Sequence, residues 1–363
     1  DDWVSGEIVS IRPIKPIKNV VIRGLTIKAT NIPTERFYRG IRLEYGFMCS
    51  VENCHIENCG VMAIESAYGF SNSLSDNVVV NSWAGDIRTS ENDLIGLGYA
   101  LRCVSETLTV ISRNRVYHAR HSVDISGNYP SRNILVADNV AVQPAKGNHV
   151  FYTHGTAEGC SFVNNIALGG RFGFGGAGEN LIFDGNLSST GFQLLGRNYT
   201  ITNNVIGGYI NFTMFTLSEP QNYIIIRNNV FKGTHMIYFT EGEKPYSEVY
   251  NLVVEGNTVI NDAGLTSYGV RALYSGSPQV TFKGLVFRNN YARNREGTPE
   301  NLAFTSTPDN VVFDRWSYMF TDSIVGVNPP PNPTIGQMAF LKDAKKPIWY
   351  DGEKWVYADG TSV

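Results

Sequence analysis

Charge is scarce in this chain of 363 residues: 17% are charged, the net charge is −3, and no run of lysine or arginine occurs. With no basic tail or run there is no support for nucleic-acid binding, and no nucleic-acid partner is expected. No apolar run approaches the ~20 residues that a helix needs to cross a bilayer, so no membrane insertion is expected. Cysteine is sparse and odd in number. Cys49, Cys54, Cys59, Cys103 and Cys160 show neither the paired spacing of a zinc site nor the density of a disulfide scaffold. They read as buried free thiols that act as small hydrophobes, which fits synthesis in a reducing cytoplasm. "NLSS", "NYTI" and "NFTM" match the glycosylation pattern and are read as coincidence in that setting. There is no Ser-centred nucleophile elbow. The chain lacks an initiator methionine, and "DDWVSGEIVSIRPIKPIKN" is no signal peptide, so a processed or excised piece of something longer is expected.

What is present is repetition. Short strand-like segments containing asparagine, each followed by another apolar strand, recur as "SLSDNVVV", "VISRNRVY", "LVADNVAV", "FVNNIALG", "ITNNVIGG", "IIRNNVFK" and "VFRNNYAR". The repeated asparagines are Asn53, Asn77, Asn114, Asn139, Asn165, Asn186, Asn204, Asn229, Asn257 and Asn290, with Gly24 in the same place of an earlier copy. Their spacing runs from 18 to 37 residues and averages about 26. The segments alternate and are rich in Val, Ile and Thr, which excludes helical repeats; a propeller blade would be too long. A unit of this length holding three short strands fits one coil of a right-handed parallel β-helix, with about eleven coils in all. The asparagine is expected both to take left-handed backbone angles at a sharp bend and to bond to its copy one rung away. Ten rungs at ~4.8 Å make a rod of roughly 45 to 50 Å.

The expected organisation is a leading segment (1–18), the β-helix (19–296), an irregular segment with the proline-rich linker "VGVNPPPNPTIGQ" (297–333) and a small aromatic β hairpin (334–363). The last reads as a hairpin because "YDGEKW" places an Asp-Gly turn between Trp349 and Trp355.

On these residues the chain resembles bacteriophage tailspike and preneck-appendage receptor-binding proteins with pectate-lyase-like β-helices. The coil pattern spans about residues 19–295. "GYALRCVSETLTVISRNRVYHARHSVDISG" is similar to a coil common in phage spikes, at Gly98, Tyr99, Asn114, Arg120 and His121. "KPIWYDGEKWVYADGT" is similar to a terminal motif of phage receptor-binding proteins. The resemblance implies a homotrimer in the virion tail, made in the host cytoplasm, and a bacterial surface glycopolymer as its target. Appendages of small podoviruses of Gram-positive hosts are the nearest type, which implies wall teichoic acid. The particle-attachment segment and the C-terminal chaperone expected of such a protein are missing, which again fits a fragment.

Four of the six histidines, His118, His121, His149 and His154, fall within 37 positions. Counting back from each asparagine stacks "GIRLEYG", "MAIESAYG", "YALRCVSE", "SVDISGNY" and "VFYTHGTA". With a period of two, Ile41 and Leu43 point inward and Arg42 and Glu44 outward. The same register sends Glu65, Asp124, Ser126, Phe151 and Thr153 outward, followed by Gly173, Gly175, Gln193, Leu195, Thr213 and Phe215. "WAGDIRTSENDLIGLG" reads as an insertion forming a lip over this stripe, carrying Asp86, Arg88, Glu91 and Asp93.

Glu44, Glu65, Asp124 and His121 are the candidate catalytic residues, and Arg42, Arg102, Asp86, Arg88 and His154 the candidate substrate-binding residues. Imidazoles beside carboxylates suit acid–base work near neutral pH, and arginines suit phosphate or carboxylate. Glu44 and Glu65 on consecutive rungs would stand ~5 Å apart, and Glu65 and Asp124 ~9 to 10 Å, the two separations of glycosidase carboxylate pairs. A plain solvated charge ladder explains the same acids. His118 is read as a packed or turn residue. "GGRFGFGGAGEN" is read as tight turn packing. No cofactor or metal site is assigned, and a divalent cation is left open. The expected function is a spike that binds and hydrolyses a surface glycopolymer; the alternatives are a glycosidase or lyase on the same groove, or an adhesin without turnover.

Overall fold

The structure is a computed structural model that describes residues 15–29, 39–82, 86–88, 94–96, 98–143, 149–213, 221–240, 248–261, 270–275 and 281–294, and beyond these 302–304, 312–313, 319–321, 338–341, 346–351, 353–357 and 361. Successive strands fall in turn onto three parallel sheets, so each coil gives one strand to each, and the winding is that of a right-handed β-helix. Sheet A runs from Val21–Arg23 to Val312–Phe313, sheet B from Thr26–Lys28 to Tyr291–Asn294, and sheet C from Arg39–Glu44 to Leu302–Phe304. Sheets B and C hold eleven strands each, in agreement with the expected number of coils.

The turn from sheet A to sheet B has two residues, and they divide the work that the sequence pattern assigned to one. The first takes the left-handed backbone: Asp76, Arg113, Asp138, Asn164, Gly185, Asn203, Asn228, Gly256 and Asn289 all have φ between 52° and 66°. The second is the buried ladder asparagine, which is absent from the left-handed set. Each ladder oxygen accepts from the backbone and side-chain amides of the asparagine one rung before it. Asn114 Oδ1 accepts from Asn77 N at 2.9 Å and from Asn77 Nδ2 at 3.0 Å. Asn114 Nδ2 then donates to Leu74 O and to Asn139 Oδ1, both at 2.9 Å. The same pattern continues through Asn257 to Asn290. Asn53 and Gly24 belong instead to the left-handed column, and Cys54 stands at the ladder position, its N–H donating to Asn77 Oδ1.

Inside the coils the side chains form continuous columns, because parallel in-register strands place like positions one rung apart. Phe151 stacks on Phe174 with ring centroids 4.8 Å apart, and Phe162 on Phe183 at 5.1 Å. All five cysteines are free and buried in this interior, as expected. Burial is the first cause that pushes the thiols of Cys59, Cys103 and Cys160 up, Cys160 to about 11.

Beyond the helix lies a separate four-stranded sheet of Met319–Thr321, Met338–Leu341, Lys346–Tyr350 and Trp355–Tyr357. Its last two strands are antiparallel, with Tyr350 opposite Trp355. Asp351 closes the turn by accepting from the backbone of Glu353 and Lys354 at 2.8 Å each.

Candidate functional site

One row on the outer face of sheet C changes residue at nearly every rung. The register pairs Arg42 with Glu65, Glu65 with Arg102, Arg102 with Asp124, and Asp124 with Tyr152; Gly175, Gln193, Asn211 and Tyr238 follow. Alternation turns these positions away from the core and holds opposite charges one strand spacing apart.

The result is an unbroken chain of ion pairs over five coils. Arg42 Nη2 donates to Glu44 Oε1 at 3.2 Å, and Arg42 Nε lies 2.9 Å from Glu65 Oε1. Arg102 bridges the two central acids, with Nη1 3.4 Å from Glu65 Oε2 and Nε 3.1 Å from Asp124 Oδ2. His154 Nε2 closes the chain 3.2 Å from Asp124 Oδ1. Ser126 Oγ donates to Asp124 Oδ2 at 2.8 Å and accepts from Arg102 Nε. The nitrogen-bearing side chains roof the carboxylates: side-chain exposure is 4% for Glu65 and 0% for Asp124, against 35% for Arg42, 25% for Arg102 and 45% for His154. Burial by itself would raise the Asp124 carboxyl, but the hydrogen bond from His154 and neighbouring positive charge, that of Arg102 included, outweigh it and hold Asp124 below its ordinary value.

Several expectations meet this geometry directly. Glu65 and Asp124 share a face, two rungs and so about 9.6 Å apart by strand spacing, with Arg102 between them. Glu44 is not stacked on Glu65; its partner across the strands is Ala67. The ~5 Å carboxylate pair is therefore absent, because two residues along a strand add about 6.6 Å to the rung spacing. Phe151 and Thr153 face inward, and Tyr152 takes the outward place between them. Gly173 also faces inward, where a Cβ would meet Ser188 and Ala167. Phe215 lies outside the described residues.

The histidines separate into different roles. His121 is buried, its Nδ1–H donates to His149 O at 2.7 Å, and its ring lies between Tyr99 and Tyr152 at 5.7 and 4.9 Å. Burial is the largest influence on His121 and lowers it to about 4, so this ring is neutral at pH 7 and enclosed. His149 is likewise lowered to about 4, chiefly by burial, and its Nε2 reaches Gln193 Oε1 at 2.8 Å. Gly175 makes that reach possible, since any Cβ there would occupy the place of the His149 ring. Of the three, His121 is buried, His149 is half-buried and His154 is exposed. His118 is an exposed turn residue with φ 59°.

The insertion is a hairpin, with Asp86–Arg88 antiparallel to Leu94–Gly96. It enters between sheet B and the Tyr99 end of sheet C, at the end opposite Ser126. The side chains of Asp86 and Arg88, like residues Glu91 and Asp93, lie outside the described residues. Among the described residues no group of three or more His, Cys, Asp or Glu side chains could hold a metal ion.

Sequence reasoning missed one carboxylate. Glu106 is fully buried where sheet C turns toward sheet A, and it accepts from Ser66 Oγ at 2.9 Å, Gly69 N at 2.8 Å, Asn72 Nδ2 at 3.3 Å and Thr109 Oγ1 at 2.5 Å. Burial raises it, partly offset by those four donors. It ties a corner together and presents nothing to a ligand. The one available signal was its serine- and threonine-rich surroundings in "VSETLT".

No family model matches the chain, and no curated protein does. Solved structures do. The tailspike of Pseudomonas phage phi297 aligns with TM-score 0.50 and 16% identity, over 69% of this chain and 45% of that one. The likeness is one of fold, a parallel β-helix shared with this tailspike. The tailspike of E. coli bacteriophage HK620, a double mutant lacking one aspartate and one glutamate and solved with a pentasaccharide, aligns with TM-score 0.52 and 12% identity, over 82% and 60%. A PL6 alginate lyase solved with a trisaccharide aligns with TM-score 0.57 and 15% identity, over 85% and 80%. The chain spans about half the length of the phi297 tailspike.

Proposed function

We propose that this chain is the receptor-binding and cleaving part of a phage spike, acting on an anionic glycopolymer of the host surface, with wall teichoic acid as first choice. The ion-pair chain on sheet C carries the reading. Arg42 and Arg102 spend some of their five donors each on the carboxylates beneath them, and their outer edges are exposed. Planar guanidinium groups spaced along a rod suit successive phosphates of a polymer. Two structures of the same fold hold oligosaccharides, which supports a glycan ligand for this one.

A homotrimer belongs to the same proposal, and the outer face of sheet B supports it. Val140, Ile166, Leu187, Val205 and Val230 occupy five consecutive outward positions, with Val142 and Leu168 beside them. A continuous apolar row of this kind on a solvent face marks an interaction surface, and closed symmetry with copies of the same chain covers it without leaving an open end. The assembled spike would stand in the virion tail.

The test is incubation with purified wall teichoic acid and, in parallel, capsular polysaccharide, followed by mass analysis. Shortened fragments ending in phosphate monoesters are expected from teichoic acid. Arg42→Gln is expected to weaken binding about tenfold or more, since a hydrogen bond to a charged group contributes about 1.5–3 kcal/mol. Bound but intact polymer would leave an adhesin, and release from capsular polysaccharide alone would favour a glycosidase or lyase.

A further inference from the structure

The acids of the site are poorly placed to move protons. Both oxygens of Glu65 are engaged by guanidinium groups, and Asp124 has no side-chain exposure and accepts from Arg102, Ser126 and His154. A pair of glycosidase-type carboxylates needs one member protonated and reachable, and Asp124 is held ionised. His121 and His149 are enclosed and bonded to His149 O and Gln193 Oε1.

His154 differs on every count. It stands at the end of strand His149–Thr153, close to half exposed, in the row that begins at Glu44 and passes Ser126. Its backbone is pinned on both sides, with N–H donating to Ile125 O at 2.8 Å and C=O accepting from Ala157 N at 3.0 Å. The edge of its ring meets Tyr152 at 4.9 Å and 86°, which limits rotation. An ionised carboxylate can only accept, so Asp124 requires the proton of the neutral imidazole to sit on Nε2. The lone pair is then on Nδ1, the nitrogen not facing Asp124. A buried carboxylate fixing the tautomer and direction of a solvent-facing imidazole is the arrangement that makes a histidine an efficient base.

We infer that His154 is the proton-transfer residue of this site and Asp124 its positioning residue, with Arg102 holding Asp124 from the other side. The inference rests on the reading of the site as a depolymerase of a phosphodiester polymer. A water molecule gives its proton to His154 Nδ1 while its oxygen bonds to phosphorus. The ester P–O bond to the next unit breaks, and the leaving oxygen takes a proton from solvent. The imidazolium then returns its proton to solvent, so the balance is one water consumed, one alcohol and one phosphate monoester formed. The titratable groups that meet the ring are Asp124 and Tyr152; Arg102 lies against the other oxygen of Asp124, and His121 stacks on Tyr152.

The experiment compares wild type, His154→Gln, His154→Ala and Asp124→Asn on purified wall teichoic acid, with binding and thermal midpoint measured on each. His154→Gln, whose amide can still donate to Asp124, should lose about 10²-fold or more in kcat, the usual contribution of a positioned base, with a far smaller change in KM, and its thermal midpoint should fall less than that of His154→Ala. Added imidazole should restore part of the activity of His154→Ala, which a purely structural role would not allow. Asp124→Asn, which changes the preferred tautomer, should lower kcat more than it alters KM and change the shape of the pH–rate profile. Undiminished turnover in His154→Gln overturns the inference and leaves the depolymerase reading standing. A wild-type protein that binds teichoic acid and releases nothing overturns the cleavage reading itself.

Discussion

Two columns of side chains run along the rod, and they follow opposite rules. At the corner between sheets A and B the same residue recurs on nine rungs from Asn77 to Asn290. On the outer face of sheet C, nine rungs from Arg42 to Tyr238 use seven residue types. The corner poses the same problem at every turn: a buried carbonyl and amide that must be bonded within the coil above or below. One answer repeated is therefore the stable one. The outer face poses no such problem, so its residues are free to serve something outside the molecule. Repetition marks scaffold here, and variation marks the candidate site.

The largest expected effect would break the first column. Asn165→Ala removes the acceptor of Asn139 N and Nδ2 and the donor to Val136 O and Asn186 Oδ1. With buried unsatisfied groups costing about 1–3 kcal/mol each and not adding fully, a loss of about 3–5 kcal/mol is expected. A denaturant midpoint equal to that of wild type would remove the basis for calling this column scaffold.

Acid titration sharpens the second column. His121 and His149 are lowered from 6.5 to about 4 in the folded chain, so unfolding takes up protons that the folded state refuses. Their neutral burial carries no penalty above pH 6.5, and stability falls as pH drops from there toward 4. Each ring accounts for up to about 3 kcal/mol, and the pair for less than twice that because the rings are neighbours. Asp124 works lower, since its contribution is retained above 3.8 and lost only below. Urea midpoints at pH 7 and 4.5 should differ, and by less in His149→Gln; equal midpoints would mean that the rings are not enclosed.

The smallest effect tests whether variation in the outer column is free everywhere. Gly175→Ala places a Cβ where the His149 ring lies and should release its bond to Gln193, at a cost of about 1–3 kcal/mol of overpacking. The His149 ring resonances, followed by NMR, should shift. An unchanged spectrum and stability would make this glycine as interchangeable as its neighbours in the row.

Much of this architecture was readable from residues alone. The asparagine spacing, the Val and Ile alternation and the turn residues led to the coils, the three sheets and the shared flank of Glu65 and Asp124, while the facing of Arg102 between them came from the register. Two errors have one cause. Assigning the left-handed bend to the ladder asparagine, and sending Phe151 outward in place of Tyr152, are both slips of a single position. A strand has period two, so one residue exchanges inside for outside, and the count back from the ladder varies, 15 residues from Asn139 to Asp124 but 13 from Asn165 to Tyr152. Glu106 escaped notice because an acid between serine and threonine looks like any surface residue until its four donors are brought around it from different rungs.

Sequence alone decided what repeats: which residues recur, at what interval, and so the winding, the sheet membership and the ladder. Those depend on neighbours a few positions away along the chain, where periodicity and backbone preference act. Only the folded coils decided which groups are covered. Whether His121 or His154 meets solvent, which cation lies on which carboxylate, and why Gly175 must be glycine depend on distances across rungs between residues 22 to 44 positions apart. Burial and pairing, which set proton affinity and access, exist only once those rungs are stacked.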